Sequence, residues 1–264
     1  MKPKMKIPLF QIDAFTRKLF GGNPAAVCPM RVWPDAHVMQ SIAAENNLSE
    51  TAFIVGGQGK FRIRWFTPKA EVDLCGHATL AAGYVVLNHI DKSLKSVKFL
   101  SDRSGLLGVS RAGDMLAMDF PSLPPKPCAP PEGLVRALGK APIATLEERD
   151  YIVVYETEAQ VRALKPDMAK LRKFDKQGVV VTAKGDKADF VSRYFVPKMG
   201  IPEDPVTGST HCSLVPFWSK MMKKDRLIAH QVSARGGEIV CVQKTKRVYL
   251  AGHAVLYMRG AIEV

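Results

Sequence analysis

The feature that most limits what this chain can fold into is a repeat. Arg64-Trp65-Phe66-Thr67-Pro68-Lys69 in the first half answers Arg193-Tyr194-Phe195-Val196-Pro197-Lys198 in the second. Each copy reads as a strand running into a proline-ended turn. Each then continues through an acidic loop to a glycine and the start of a helix: Glu71-Val72-Asp73-Leu74-Cys75-Gly76-His77 against Glu203-Asp204-Pro205-Val206-Thr207-Gly208-Ser209. From proline to glycine the second loop is three residues longer. Correspondence through strand, loop and helix start predicts an internal duplication.

Other elements follow from periodicity and turn chemistry. Residues 7–14 and 24–28 read as strands separated by the Gly21-Gly22-Asn23-Pro24 turn. Met39, Ile42 and Ala43 recur at helical spacing behind Asp35 as N-cap, and the helix ends at Asn46-Asn47. Residues 51–55 and 61–66 form a hairpin pattern around Gly56-Gly57, and an Ala-rich helix runs from Gly76 to about Leu87. Short strands fill 97–119. The proline-dense stretch Pro121–Pro131 is read as an irregular linker. Beyond it, 152–155, 179–182 and 190–196 read as strands, and 133–138 and 166–174 as helices. A helix over 209–222 is expected to be interrupted at Pro216, and 231–264 to form three strands.

Length allows one large domain or two of ordinary size: 264 residues, 47% hydrophobic. No window approaches the roughly 18 apolar residues of a membrane span. The basic start MKPKMKIPLF has no apolar core or cleavage site of a signal peptide, so the chain is expected to be cytoplasmic. Its five cysteines are scattered and odd in number, which disfavours a disulfide framework, and no zinc spacing occurs; no metal is expected. A formal charge of +13 arises from short groups such as Lys2/Lys4/Lys6, Lys220/Lys223/Lys224/Arg226 and Lys244/Lys246/Arg247. No nucleic-acid motif accompanies them, so they read as a solvated surface without specific nucleic-acid binding. Such a field also draws in a small anionic metabolite.

The repeat supplies chemistry. A loop–glycine–helix unit presents unsatisfied backbone N–H groups at the positive end of a helix dipole, and glycine lets a ligand approach them. Two such units, at Gly76 and at Gly208-Ser209, suit a carboxylate and the enolate-like anion formed when a proton leaves the neighbouring carbon. Proton-transfer candidates are Glu45, His77 and Asp204. Taken singly, each also reads as an ordinary group: a solvated helix end, a helix-opening histidine, a turn aspartate.

Together, several segments resemble the phenazine biosynthesis F-like family of the diaminopimelate epimerase-like superfamily. They are Gly22-Asn23-Pro24-Ala25-Ala26-Val27, Ala44-Glu45-Asn46-Asn47-Leu48-Ser49-Glu50-Thr51-Ala52-Phe53, Arg64-Trp65-Phe66-Thr67-Pro68, both repeat loops, and Gly252-His253-Ala254-Val255 followed by Gly260. The resemblance implies an α+β fold of two pseudo-symmetric lobes. Each would be a curved, mostly antiparallel sheet around a central helix, with the active site in the seam. The first lobe would be 1–120 plus the last strand (254–264), the second 121–253. It further implies a cofactor-independent isomerase in which Glu45 shuttles a proton, His77 and Asp204 assist, and Gly76, Gly208 and Ser209 hold the carboxylate. Members of the family often pair as homodimers, and a homodimer is the implied assembly. Racemising relatives use one thiol on each repeat loop; here Cys75 faces Thr207 in the alignment, and threonine cannot act as a thiolate. A two-thiol mechanism is therefore disfavoured. Cys75 is left as an auxiliary acid, and a one-thiol epimerase or hydro-lyase and a non-catalytic metabolite-binding protein stand as alternatives.

Overall fold

Strand pairing carries the repeat. In the computed structural model, which describes residues 5–264, the chain divides into two compact units: Met1–Asp119 with Ala251–Val264, and Phe120–Leu250. Lys2 and Lys4 of the first basic group lie outside the described residues.

The first unit contains β1 (Lys6–Ala14), β2 (Asn23–Met30), α1 (Ala36–Asn46), β3 (Glu50–Gly57), β4 (Lys60–Phe66), β5 (Glu71–Val72), α2 (Gly76–Val85), β6 (Ser96–Ser101), β7 (Gly105–Ala112) and all but the last two residues of β8 (Met115–Pro121). β1 and β2 pair antiparallel, β2 and β3 parallel, β3 and β4 antiparallel, β4 and β6 parallel, β6 and β7 antiparallel. The C-terminal strand Ala254–Glu263 returns to pair antiparallel with β1.

The second unit contains β9 (Lys126–Pro127), α3 (Leu134–Leu138), β10 (Ala144–Glu147), β11 (Tyr151–Val154), α4 (Glu158–Ala163), α5 (Met168–Leu171), β12 (Val179–Lys184), β13 (Phe190–Phe195), β14 (Glu203–Asp204), α6 (Gly208–Met222), β15 (Arg226–Gln231), β16 (Gly237–Gln243) and all but the last two residues of β17 (Arg247–Gly252). From β10 to β16 the pairings run antiparallel, parallel, antiparallel, parallel, antiparallel, the same series as β1 to β7. Phe66 lies opposite Glu71, and Phe195 opposite Glu203, so the two loops start from the same register. The longer second loop takes a short 3-10 turn, Pro197–Met199, ended by Gly200 at φ 89°.

Each unit packs a mostly antiparallel sheet against one long helix. α2 is apolar on nearly every side, as a helix buried by its sheet must be. It packs on β1, β2, β3 and β7. α6 packs on β15 and β16.

Several local expectations change. The β3–β4 turn lies at Gln58-Gly59, with φ of 50° and 74°, the pair of positive angles that a two-residue hairpin favours. Gly56 and Gly57 belong to β3 instead. Asp35 holds the N-cap position of α1 without a side-chain cap bond. α6 runs uninterrupted through Pro216. Proline has no N–H for the carbonyl four residues back, and that carbonyl, on Cys212, accepts from the Leu123 amide at 2.9 Å. The proline-dense stretch is not wholly irregular, since Lys126-Pro127 pair with β10. The helix expected over 166–174 is only Met168–Leu171, and the three strands expected over 231–264 are β16, β17 and the C-terminal strand, with β15 ahead of them from Arg226.

Candidate active site

Two strands and a helix converge at one end of the first unit. β2 and β3 run parallel with Ala25 opposite Glu50, so Asn23 and Glu50 open neighbouring strands. α2 begins beside them, with Cys75 as its N-cap and Gly76 and His77 as its first residues. His77 Nε2 faces Glu50 Oε2 at 3.1 Å, with side chains only 5% and 12% exposed. The other ring nitrogen, Nδ1, lies 3.1 Å from Asn23 Nδ2 and 3.5 Å from Cys75 Sγ.

Burial sets the protonation of this group. Burial, reinforced by the Glu50 carboxylate, pushes the Cys75 thiol up to about 11, so sulfur keeps its proton at neutral pH. Burial alone would strip His77 of its charge, but the Glu50 carboxylate against Nε2 outweighs it and holds its proton well above the ordinary histidine range. One ligand atom from each of Glu50, Cys75 and His77 lies within 4.8 Å of the others. Sulfur and carboxylate nevertheless sit against opposite ring nitrogens, so the three do not point at one ion.

Glu45 stands apart. It lies exposed on the last turn of α1, and its carboxylate meets no hydrogen-bond or ion-pair partner among the described residues. Asn47 ends that helix in the left-handed conformation, and the chain turns into β3, delivering Glu50 to the site. Glu50 is part of the same motif as Glu45, but its place depends on the β2–β3 pairing, which no local pattern reveals.

The second unit repeats the arrangement with other groups. Thr207 is the N-cap of α6, and Gly208 and Ser209 are its first residues. Neither N-cap side chain, Cys75 or Thr207, closes a cap bond onto its helix. The Asp204 carboxylate accepts from the Thr207 hydroxyl. Buried Gln231 staples the loop: its Oε1 accepts from the Thr207 amide at 2.8 Å and its Nε2 donates to the Asp204 carbonyl at 2.7 Å. Arg149 donates to Ser209 Oγ at 3.0 Å. Behind it, buried Asp150 accepts from the Tyr194 hydroxyl at 2.9 Å, and burial raises the affinity of that carboxylate for a proton. His211 is wholly buried, which lowers it to about 4 and keeps it neutral. Thus His77, Cys75 and Gly76 gather around Glu50, while Asp204, Gly208 and Ser209 gather around Gln231 and Arg149.

Residues 12–260 match the sequence profile of a family described as phenazine biosynthesis-like protein. The chain belongs to that family. A relative from Pseudomonas aeruginosa, described as an uncharacterized isomerase, is 50% identical over 98% of this chain and all of its own. The crystal structure of a PhzF-family protein from Enterococcus faecalis is 42% identical, with a TM-score of 0.96 over 98% of this chain and all of that one. A hydroxyproline epimerase from Agrobacterium vitis is only 8% identical but superposes with a TM-score of 0.64, over all of this chain and 94% of that one, which shows a shared fold. This phenazine biosynthesis-like protein is therefore an isomerase with an α+β, epimerase-like fold. Among the described residues no helix is long and apolar enough to cross a membrane.

Proposed function

We propose that this isomerase moves a proton on a small carboxylate-bearing substrate, with Glu50 as general acid and base and His77 as its partner. The carrying observation is the 3.1 Å approach of Glu50 Oε2 to His77 Nε2 beside the start of α2. A carboxylate next to an imidazole can take a proton from carbon and return it, with the histidine supplying or absorbing charge. The uncapped amides of Gly76 and His77 suit the anion formed in between. This reading moves the acid/base role from Glu45, which is exposed, to Glu50. Asp204, Gly208 and Ser209 keep their substrate-orienting and carboxylate-binding roles, with Arg149 and Gln231 holding their loop in shape. A Cys75-centred mechanism is disfavoured because the thiol is held protonated.

Screening carboxylate metabolites by thermal shift finds a ligand, since whatever binds only the native state raises its melting temperature. Turnover in D2O, read by NMR, then shows whether solvent deuterium enters a carbon position. E50Q is expected to lower that incorporation by about 100-fold or more, the scale of general acid–base catalysis, while E45Q stays within a few-fold of wild type. Undiminished turnover by E50Q removes the assignment.

A further inference from the structure

Asn23 is fully buried and clamped by its neighbours in sequence. Gly22, before it, has φ +61°, and a Cβ there would lie 2.1 Å from the Ala14 carbonyl oxygen, so only glycine fits. Pro24, after it, restricts Asn23 to extended backbone, where it pairs with Ala14 at the start of β2. The side chain is therefore delivered from a backbone with little freedom. It arrives at His77, with Nδ2 3.1 Å from Nδ1. On the far edge of the same ring, Nε2 faces Glu50 at 3.1 Å.

An imidazole can rotate about its bond to Cβ, and a half-turn would carry Nε2 away from the carboxylate. Something must hold the ring. Cys75 Sγ touches Nδ1 at 3.5 Å, but a protonated thiol is a weak partner. A carboxamide is a strong one and offers either a donor or an acceptor at the same point, so it can stay with the ring in both of its charge states. We propose that Asn23 is a positioning residue, which anchors Nδ1 of His77 and thereby aims Nε2 at Glu50. The proposal rests on the Glu50–His77 reading above for its effect on turnover, but not for its effect on the ring. It also gives the Gly22-Asn23-Pro24 segment a purpose: the glycine and the proline place an orienting amide.

The test uses the full chain with 15N-labelled histidine and follows the His77 ring nitrogens against pH in wild type, N23L and N23D. The charged or titratable groups facing the ring are Glu50 from β3 and Cys75 before α2. N23L keeps the branched shape at Cγ, with methyl groups in place of the amide, but loses the anchor. Its His77 midpoint is expected to fall toward that of an ordinary histidine, and kcat to fall about 10- to 100-fold with KM changed much less, the scale for losing a group that orients a histidine. N23D accepts at the same point, so its His77 midpoint moves up and it keeps more activity than N23L. A wild-type midpoint in N23L, whatever its activity, overturns the proposal. If N23L does not fold, an unshifted midpoint in N23D overturns it instead. A shifted ring in N23L alongside a fully active E50Q would leave Asn23 as the anchor and sink the role of Glu50.

Discussion

Arg64 and Arg193 hold the same place in the two units, yet their removal should cost different amounts. Each makes a two-pronged pair with a glutamate on the facing two-residue strand: Arg64 to Glu71 at 2.7 and 2.8 Å, Arg193 to Glu203 at 2.9 Å twice. Arg193 does more. Its Nη1 also donates to the carbonyls of Leu164, Val161 and Arg162 at 2.9, 3.2 and 3.3 Å, closing the C-terminal end of α4. Its pair is also the less exposed, 15% and 19% against 27% and 20% for Arg64 and Glu71. Removing one partner of a largely buried pair costs about 3–5 kcal/mol, and each carbonyl left without a donor about 1 kcal/mol or more. R64M should thus cost about 3 kcal/mol. R193M should cost about 4–6 kcal/mol, because one strong and two long carbonyl contacts go with the ion pair. Urea unfolding can be read separately in each unit, since Trp33 and Trp65 belong to the first and Trp218 is the tryptophan of the second. Equal shifts for the two variants, or a larger one for R64M, would refute the assignment of the extra stability to the capped end of α4.

Other outcomes follow from single contacts. The hydrogen bond from Arg64 holds Glu71 below the ordinary carboxylate range, so its stabilisation is fully present above the unfolded value of about 4.3 and is lost as pH falls through the lower folded one. The melting-temperature gap between wild type and E71Q should be constant above about pH 5 and close in acid. C75A should keep kcat within about three-fold of wild type, and native protein should resist iodoacetamide at this position; a loss near 100-fold would restore the thiol to the mechanism. G83A would place a Cβ 2.5 Å from Val109 Cγ1, so overpacking of about 1–3 kcal/mol should outweigh the roughly 1 kcal/mol gain in helix propensity. G83A/V109A should then be more stable than V109A alone, and a stabilising single G83A would show that α2 and β7 do not meet this closely.

What could be read from the sequence was what local chemistry determines. The duplicated strand, loop and helix were visible because Arg64 and Glu71 recur as Arg193 and Glu203, with the same alternation between them. Residues Cys75, Gly76 and His77, and Asp204, Gly208 and Ser209, lie on those loops and were found with them. No local pattern points to Glu50, because its side chain is brought to His77 by the parallel pairing of β3 with β2, a strand distant in sequence. Gln231 and Arg149 escaped for the same reason: each reaches its loop from a distant element. Pro216 leaves α6 whole because its effect on a helix depends on whether the freed carbonyl finds a donor, and Leu123 supplies one from across the fold. The Gly56-Gly57 pair drew the hairpin turn two residues early, since Gln58 is an unusual occupant of a positive-φ position.

The C-terminal strand makes the first unit a structure in two pieces. It pairs Ala14 with Ala254 and Lys6 with Glu263, while the residues between the two pieces build the second unit. On a ribosome the second unit is therefore complete before the first can close. Through that interval β1 waits with one row of backbone donors and acceptors open, a free edge inviting the wrong partner. Such a chain gains from a second unit that folds quickly, because its own translation sets how long that edge stays bare. Slowing the ribosome between Phe120 and Leu250 should therefore lower the soluble yield more than slowing it before Asp119, although the finished protein is the same in both cases.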